Sequence, residues 1–319
     1  MEKSMQQEIA LPKRKKKRWT RDDTELTLLA LPTTIWFLLF CYLPMFGLII
    51  AFKDFRITGG FLQSLVNSRW CGLENFHFLF TSDAMKVVVR NTILYNLVFI
   101  TLGVVVPVTL ALMISQLHSK RAGKIYQTAM FMPYFLSWVV VTAVVWGFLS
   151  IDKGLINQII QAKGGEGIDW YDTPGFWPPF LVFMNMWKGL GYGMVVYLAT
   201  ITSIDSTYYE AAIIDGATKW QQTKYITLPL LKTVIIMMFI MSVGRIFYSD
   251  FGLFYQVPRG ASSLYDVTYT IDVFVFQQLK TASTGMASAA AFLQSICGCA
   301  TILLTNALVR KVDKENALI

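Results

Sequence analysis

The sequence predicts an all-α membrane protein: six transmembrane helices, with the N-terminus and the C-terminus both cytoplasmic. Three observations predict it. Apolar residues make up 55% of the chain and charged residues only 15%, with a mean hydropathy of +0.49. Soluble domains carry about 25% charged residues. Six stretches, roughly 28–51, 92–114, 129–149, 179–201, 229–249 and 287–309, are each long enough to cross a hydrocarbon core of about 30 Å. Lys and Arg then fix the orientation. Eight lie in 1–27, three in 115–128, two in 202–228 and three in 310–319, against five, two and two in the alternate segments. The first outer loop, 52–91, holds the five, but long loops cross largely regardless of charge.

Taken in order, residues 1–27 form a basic cytoplasmic segment. The run PKRKKKRW (12–19) beside a span reads as an anchor facing anionic membrane lipid rather than a nucleic-acid site. The first apolar run is too long for a signal-peptide core, and no small-residue cleavage site follows it. The membrane-spanning body then occupies 28–309, and 310–319 is a cytoplasmic tail. Cys41, Cys71, Cys297 and Cys299 make no metal or disulfide pattern, and His77 and His118 are lone loop histidines.

What is missing narrows the function classes. The chain has no G-x-x-x-x-G-K-[ST] loop of its own and no catalytic signature such as G-x-S-x-G or H-E-x-x-H. No span as drawn contains Asp or Glu. Coupled carriers commonly place such groups in the membrane. A stand-alone carrier or channel is thereby weakened, and an energy source outside this chain is the simpler expectation.

The segment YYEAAIIDGATKWQQTKYITLPLL (208–231) is a polar insert between two apolar spans. Asp205, Ser206 and Thr207 are good N-cap residues, and Glu210 falls in the first turn of a short helix over 207–215. Gly216 suits the left-handed position that ends it. A second short helix is expected over 217–225, and Pro229 suits the first turn of the fifth span. Helices this short are marginal in water. The piece therefore packs either on a partner or on its own bundle, and the residues alone leave both open.

The order E-A-A, D-G-A and I-T-L-P, with nine residues between Gly216 and Ile226, resembles the EAA motif of ATP-binding-cassette (ABC) importer permeases. Here it is Glu210, Ala211, Ala212, Asp215, Gly216, Ala217, Ile226, Leu228 and Pro229, in a loop (203–229) between the fourth and fifth expected spans. The stretches MWKGLGYGMVVYLATITSIDSTYYEAAIIDGA (186–217), FGLFYQV (251–257) and YDVTYTIDVFVF (265–276) resemble the carbohydrate-uptake branch, and within it the permeases that serve polysaccharide-derived oligosaccharides. The resemblance implies a type I importer fold and a second, homologous permease subunit. It also implies two ATPase subunits that bind ATP and Mg, an extracytoplasmic binding protein, and a multi-pass place in the bacterial cell membrane. This chain would bind no cofactor and catalyse no reaction. Glu210 would anchor the ATPase, the alanines would supply the close-packing face, and Gly216 would aim the second helix. An ABC permease for another solute is the alternative.

The substrate path is harder to read. Lys188 lies about 14 Å into the fourth span at helical rise, where an ammonium usually faces a cavity or a partner. Asn185, Trp187, Tyr192 and Tyr197 share that span, while Arg245 and Asp250, near the outer end of the fifth, either pair or face the binding protein. If Lys188 and Arg245 line the cavity, an acidic saccharide such as a uronate oligomer fits it.

Overall fold

Helices dominate the computed structural model, which describes residues 20–312. The basic run 12–19 and residues 313–319 of the expected tail lie outside the described residues. By contacts the chain divides into two units, Met1–Ile49 and Ile50–Ile319.

The first unit carries α1 (Arg21–Phe37). It opens with a capping box, in which the Thr20 hydroxyl accepts from the Asp23 N–H and the Asp23 carboxylate accepts from the Thr20 N–H. The helix continues through a wide π turn, Leu38–Tyr42, into a tighter 3₁₀ stretch, Leu43–Phe52. Pro44, which has no N–H to give, sits at the change of pitch.

In the second unit, the expected first outer loop is partly ordered. Strand β1 (Lys53–Asp54) pairs antiparallel with β2 (Arg69–Trp70), and the short helices α2 (Phe61–Asn67) and α3 (Glu74–Thr81) flank the pair. Then follow α4 (Asp83–Ser115), α5 (Lys120–Phe131), α6 (Trp138–Leu149), α7 (Leu155–Ala162) and α8 (Trp177–Thr202). The chain continues through α9 (Ser206–Ile214), α10 (Lys219–Gln222), α11 (Leu228–Val243), α12 (Tyr265–Thr268), α13 (Ile271–Lys280) and α14 (Thr284–Val312). Helices α4 and α5 both pack against α8, and α14 packs on α3, α11 and α13. Three apolar clusters fill the spaces. One gathers Trp177, Leu181 and Met184 with Val141, Val145 and Phe254. A second joins Val88 and Phe274 to Ala289 and Ala290, and a third joins Val108 and Met194 to Tyr197 and Leu231.

Among the described residues, four helices are long and apolar enough to cross a membrane, and a bent pair makes a fifth if it is one span. This differs from the expected six in three places. The expected third span, 129–149, is two helical pieces, Lys120–Phe135 and Trp138–Leu149, bent by 97°. Pro133 and the extended backbone at Leu136 and Ser137 break it. The fourth is a 26-residue helix, α8, long enough to cross but made less apolar by Asn185, Lys188 and three glycines at its centre. The fifth does not run 229–249: its helix spans Lys219–Val243 and stops at Gly244.

The chain from Gly244 to Asp250 is irregular, and backbone groups at such depth need partners from the protein. Asn96 of α4 donates to the carbonyls of Ile246 and Tyr248, at 2.9 and 2.8 Å. Gln294 of α14 donates to the Phe247 carbonyl at 2.8 Å, and the Asp272 carboxylate accepts from the Ser249 N–H at 2.6 Å. Three side chains from three helices thus hold this break open.

Candidate functional site

Two features on the second unit can carry function: the polar insert and a polar cavity. The insert forms as its caps dictate. The Asp205 carboxylate accepts from the Thr207 N–H at 3.0 Å and starts α9. That backbone donor holds the Asp205 carboxyl below its ordinary value of 3.8. The stabilisation is present above pH 3.8 and is lost as the pH falls through the depressed value. At the other end the Ala217 N–H reaches the Ala212 carbonyl at 2.8 Å and the Gly216 N–H reaches that of Ile213 at 3.0 Å. Together these are a Schellman closure, with Gly216 left-handed at φ +77°.

The second short helix expected over 217–225 is instead the first turn of a longer one. Thr218 and Gln221 form a capping box, and α10 runs through a π turn, Thr223–Thr227, into α11. The wide turn leaves room ahead of Pro229, which cannot donate and would crowd a regular α-turn. Pro229 is accordingly the second residue of α11. Tyr209 bonds the Thr227 hydroxyl at 2.9 Å, and Gln116 at the end of α4 donates to the Thr223 hydroxyl at 2.8 Å. The insert is thereby pinned on its own bundle by one face. Its other face is bare: Glu210 and Ala211 are exposed, as are Tyr208, Ile213, Ile214 and Trp220, Ile214 by 85%. Ala212, Ala217, Ile226 and Leu228 are half-buried, while Asp215 and Pro229 are exposed.

The cavity, about 500 Å³, lies between α4, α8 and the broken segment. Asn185, Arg245 and Asp250 line it together with Asn96, Ser242, Tyr248, Ser249 and Phe251. Arg245 and Asp250 share the cavity without pairing. Asp250 accepts from the Trp138 indole at 2.7 Å and from the Gly252 N–H at 2.9 Å, so its charge is already occupied. Among the described residues no carboxylate lies within ion-pair distance of Arg245.

The other four residues expected on the path are elsewhere. Lys188 donates to the Tyr134 carbonyl at 3.0 Å and lies over the Tyr134 and Trp138 rings, at the bend between α5 and α6. Its depth called for a partner, and the bend, which leaves a carbonyl without a helical donor, supplies one. Tyr197 is buried in the third cluster, Trp187 packs against the first, and Tyr192 stacks on Tyr134 at 5.2 Å. Sequence reasoning missed Asn96, Ser242, Tyr248, Ser249 and Phe251. Asn96 alone left a signal, a carboxamide in an otherwise apolar run.

Residues 103–314 match the family model described as "Binding-protein-dependent transport system inner membrane component". The chain belongs to this family. It is the permease component of a binding-protein-dependent ABC importer in the bacterial inner membrane. It is 32% identical to the polygalacturonan/rhamnogalacturonan transport system permease protein YteP of Bacillus subtilis (strain 168), over 91% of this chain and 89% of that one. It is 30% identical to protein LplB of the same organism, over 92% and 91%. A chain of a bacterial ABC transporter involved in the import of the acidic polysaccharide alginate superposes with a TM-score of 0.81 at 31% identity, covering 92% of this chain and 97% of that one. A chain of a bacterial alginate ABC transporter in complex with alginate pentasaccharide-bound periplasmic protein superposes with a TM-score of 0.80 at 31% identity, covering 92% of this chain and 96% of that one. In this family member the insert lies within the matched residues and the cavity is lined by residues within and just before them, the two at opposite ends of α11.

Proposed function

We propose that this permease imports acidic oligosaccharides handed over by an extracytoplasmic binding protein. A second permease subunit completes the pore, and two ATPase subunits drive it. Residues 203–229 dock on an ATPase, with Glu210 as polar anchor, Ala211 and Ala212 as the close-packing face, and Ala217, Ile226, Leu228 and Pro229 carrying the movement into α11. Both termini are cytoplasmic, and α8 serves as the fourth of six spans, with Asn185 turned to the cavity. This chain supplies no ATPase site; ATP and Mg belong to the partner subunits.

The observation that carries the substrate reading is Arg245, a guanidinium on a cavity wall with no carboxylate within ion-pair distance among the described residues. Its guanidinium is exposed, so an entering anion can meet it directly, and its planar fork suits a carboxylate. Both the polygalacturonan named for YteP and alginate are carboxylate-bearing polymers, which supports the same chemistry. The test is uptake by the complete importer in proteoliposomes. Arg245→Gln should cut uptake of galacturonate oligomers at least tenfold while sparing neutral oligomers. Equal loss of both would remove the charge reading, and accumulation by the isolated chain without ATPase subunits would point instead to a stand-alone carrier.

A further inference from the structure

A cavity of about 500 Å³ is of the size that encloses one drug-sized ligand. A chain of several sugars has to extend past its mouth. One wall residue, Phe251, leads out of it. The Phe251 ring stacks on Tyr255 at 4.9 Å and 16°, and meets Phe276 at 4.6 Å. Tyr255 and Phe276 lie 4.9 Å apart. Beyond them the Lys280 ammonium donates to the Tyr255 hydroxyl at 2.7 Å and lies 4.8 Å from the Phe276 ring centre. Lys280 is exposed, and among the described residues no carboxylate pairs with it. Gly260 seats the phenol: at φ +61° it is left-handed, and a Cβ there would come within 2.8 Å of the Tyr255 ring.

Packing alone explains three touching rings, and Lys280 in the last turn of α13 suits that helix's dipole. Packing does not explain why the row begins on a cavity wall and ends on an unpaired cation. Aromatic faces stack on the apolar faces of sugar rings, and an oriented ammonium takes a carboxylate. On the oligosaccharide reading given above, we infer that Phe251, Tyr255, Phe276 and Lys280 form a second saccharide subsite, for a uronate ring, contiguous with the Arg245 cavity.

The test uses the complete importer in proteoliposomes, with labelled galacturonate trimer and its neutral methyl ester, each variant scored against wild type on the same sugar. Lys280→Gln should lower uptake of the acid about fivefold or more and leave the ester within twofold. Lys280→Arg should restore the acid, and Lys280→Glu should reverse the preference. Phe276→Ala should lower both sugars. Unchanged uptake of the acid by Lys280→Gln and Lys280→Glu would overturn the subsite. So would an equal fall of acid and ester in every Lys280 variant, which would make the lysine a structural prop. Failure of the oligosaccharide reading itself is visible separately, because the wild-type importer would then take up neither sugar.

Discussion

Gly216→Ala isolates the backbone contribution of the insert. Gly216 sits at φ +77°, and a Cβ placed there meets nothing within 4 Å. Substitution therefore changes no packing; it adds only the cost of an L-residue in left-handed geometry, about 1–2 kcal/mol. That lowers occupancy of the Schellman turn by a factor of roughly 5–30. With the turn go the two hydrogen bonds that close α9, from Ala217 to Ala212 and from Gly216 to Ile213. The proposed consequence is that α9 no longer moves rigidly with α10 and α11, so hydrolysis by the ATPase subunits continues while uptake drops. Solute transported per ATP hydrolysed, measured in proteoliposomes, should fall severalfold for Gly216→Ala and further for Gly216→Val, whose branched Cβ fits the left-handed region worse. Gly216→Asn, which tolerates that region, should stay near wild type. Wild-type stoichiometry in Gly216→Val would refute the argument, since it would mean the turn is not part of the transmission.

Gly191→Ala should be structural rather than kinetic. Its Cβ would lie 2.2 Å from the Met130 carbonyl oxygen and 2.5 Å from the Phe131 Cα, so α5 has to shift from α8 by about 1 Å at a cost of about 1–3 kcal/mol. A lower melting temperature in detergent is the readout. Asn96→Leu strands the carbonyls of Ile246 and Tyr248 at about 1–3 kcal/mol each. It should lower yield and melting temperature more than Ser242→Ala, which lines the same cavity. Lys188→Met should loosen the bend at Tyr134 and lower the melting temperature while leaving the ratio of acidic to neutral uptake unchanged. A change in that ratio would return Lys188 to the substrate path.

Features that depend on neighbours along the chain could be read from the residues alone. Length and apolarity identify the long helices, because a hydrocarbon core demands them. The caps at Asp205 and Gly216 were legible because capping is a contest between one side chain and the backbone a few residues away. The motif from Glu210 to Pro229 was legible through its resemblance to a known family, because its residues lie close together along the chain. Only the tertiary structure decided how polar groups inside the membrane are shared out. Lys188 and Arg245 look alike in the sequence, each a cation set among apolar residues. One is bound to a carbonyl exposed by a 97° bend, and the other is left on a cavity wall beside an Asp250 already engaged by Trp138. Helix crossings and chain breaks create those partners, and neither is written in the spacing of residues on one strand of sequence.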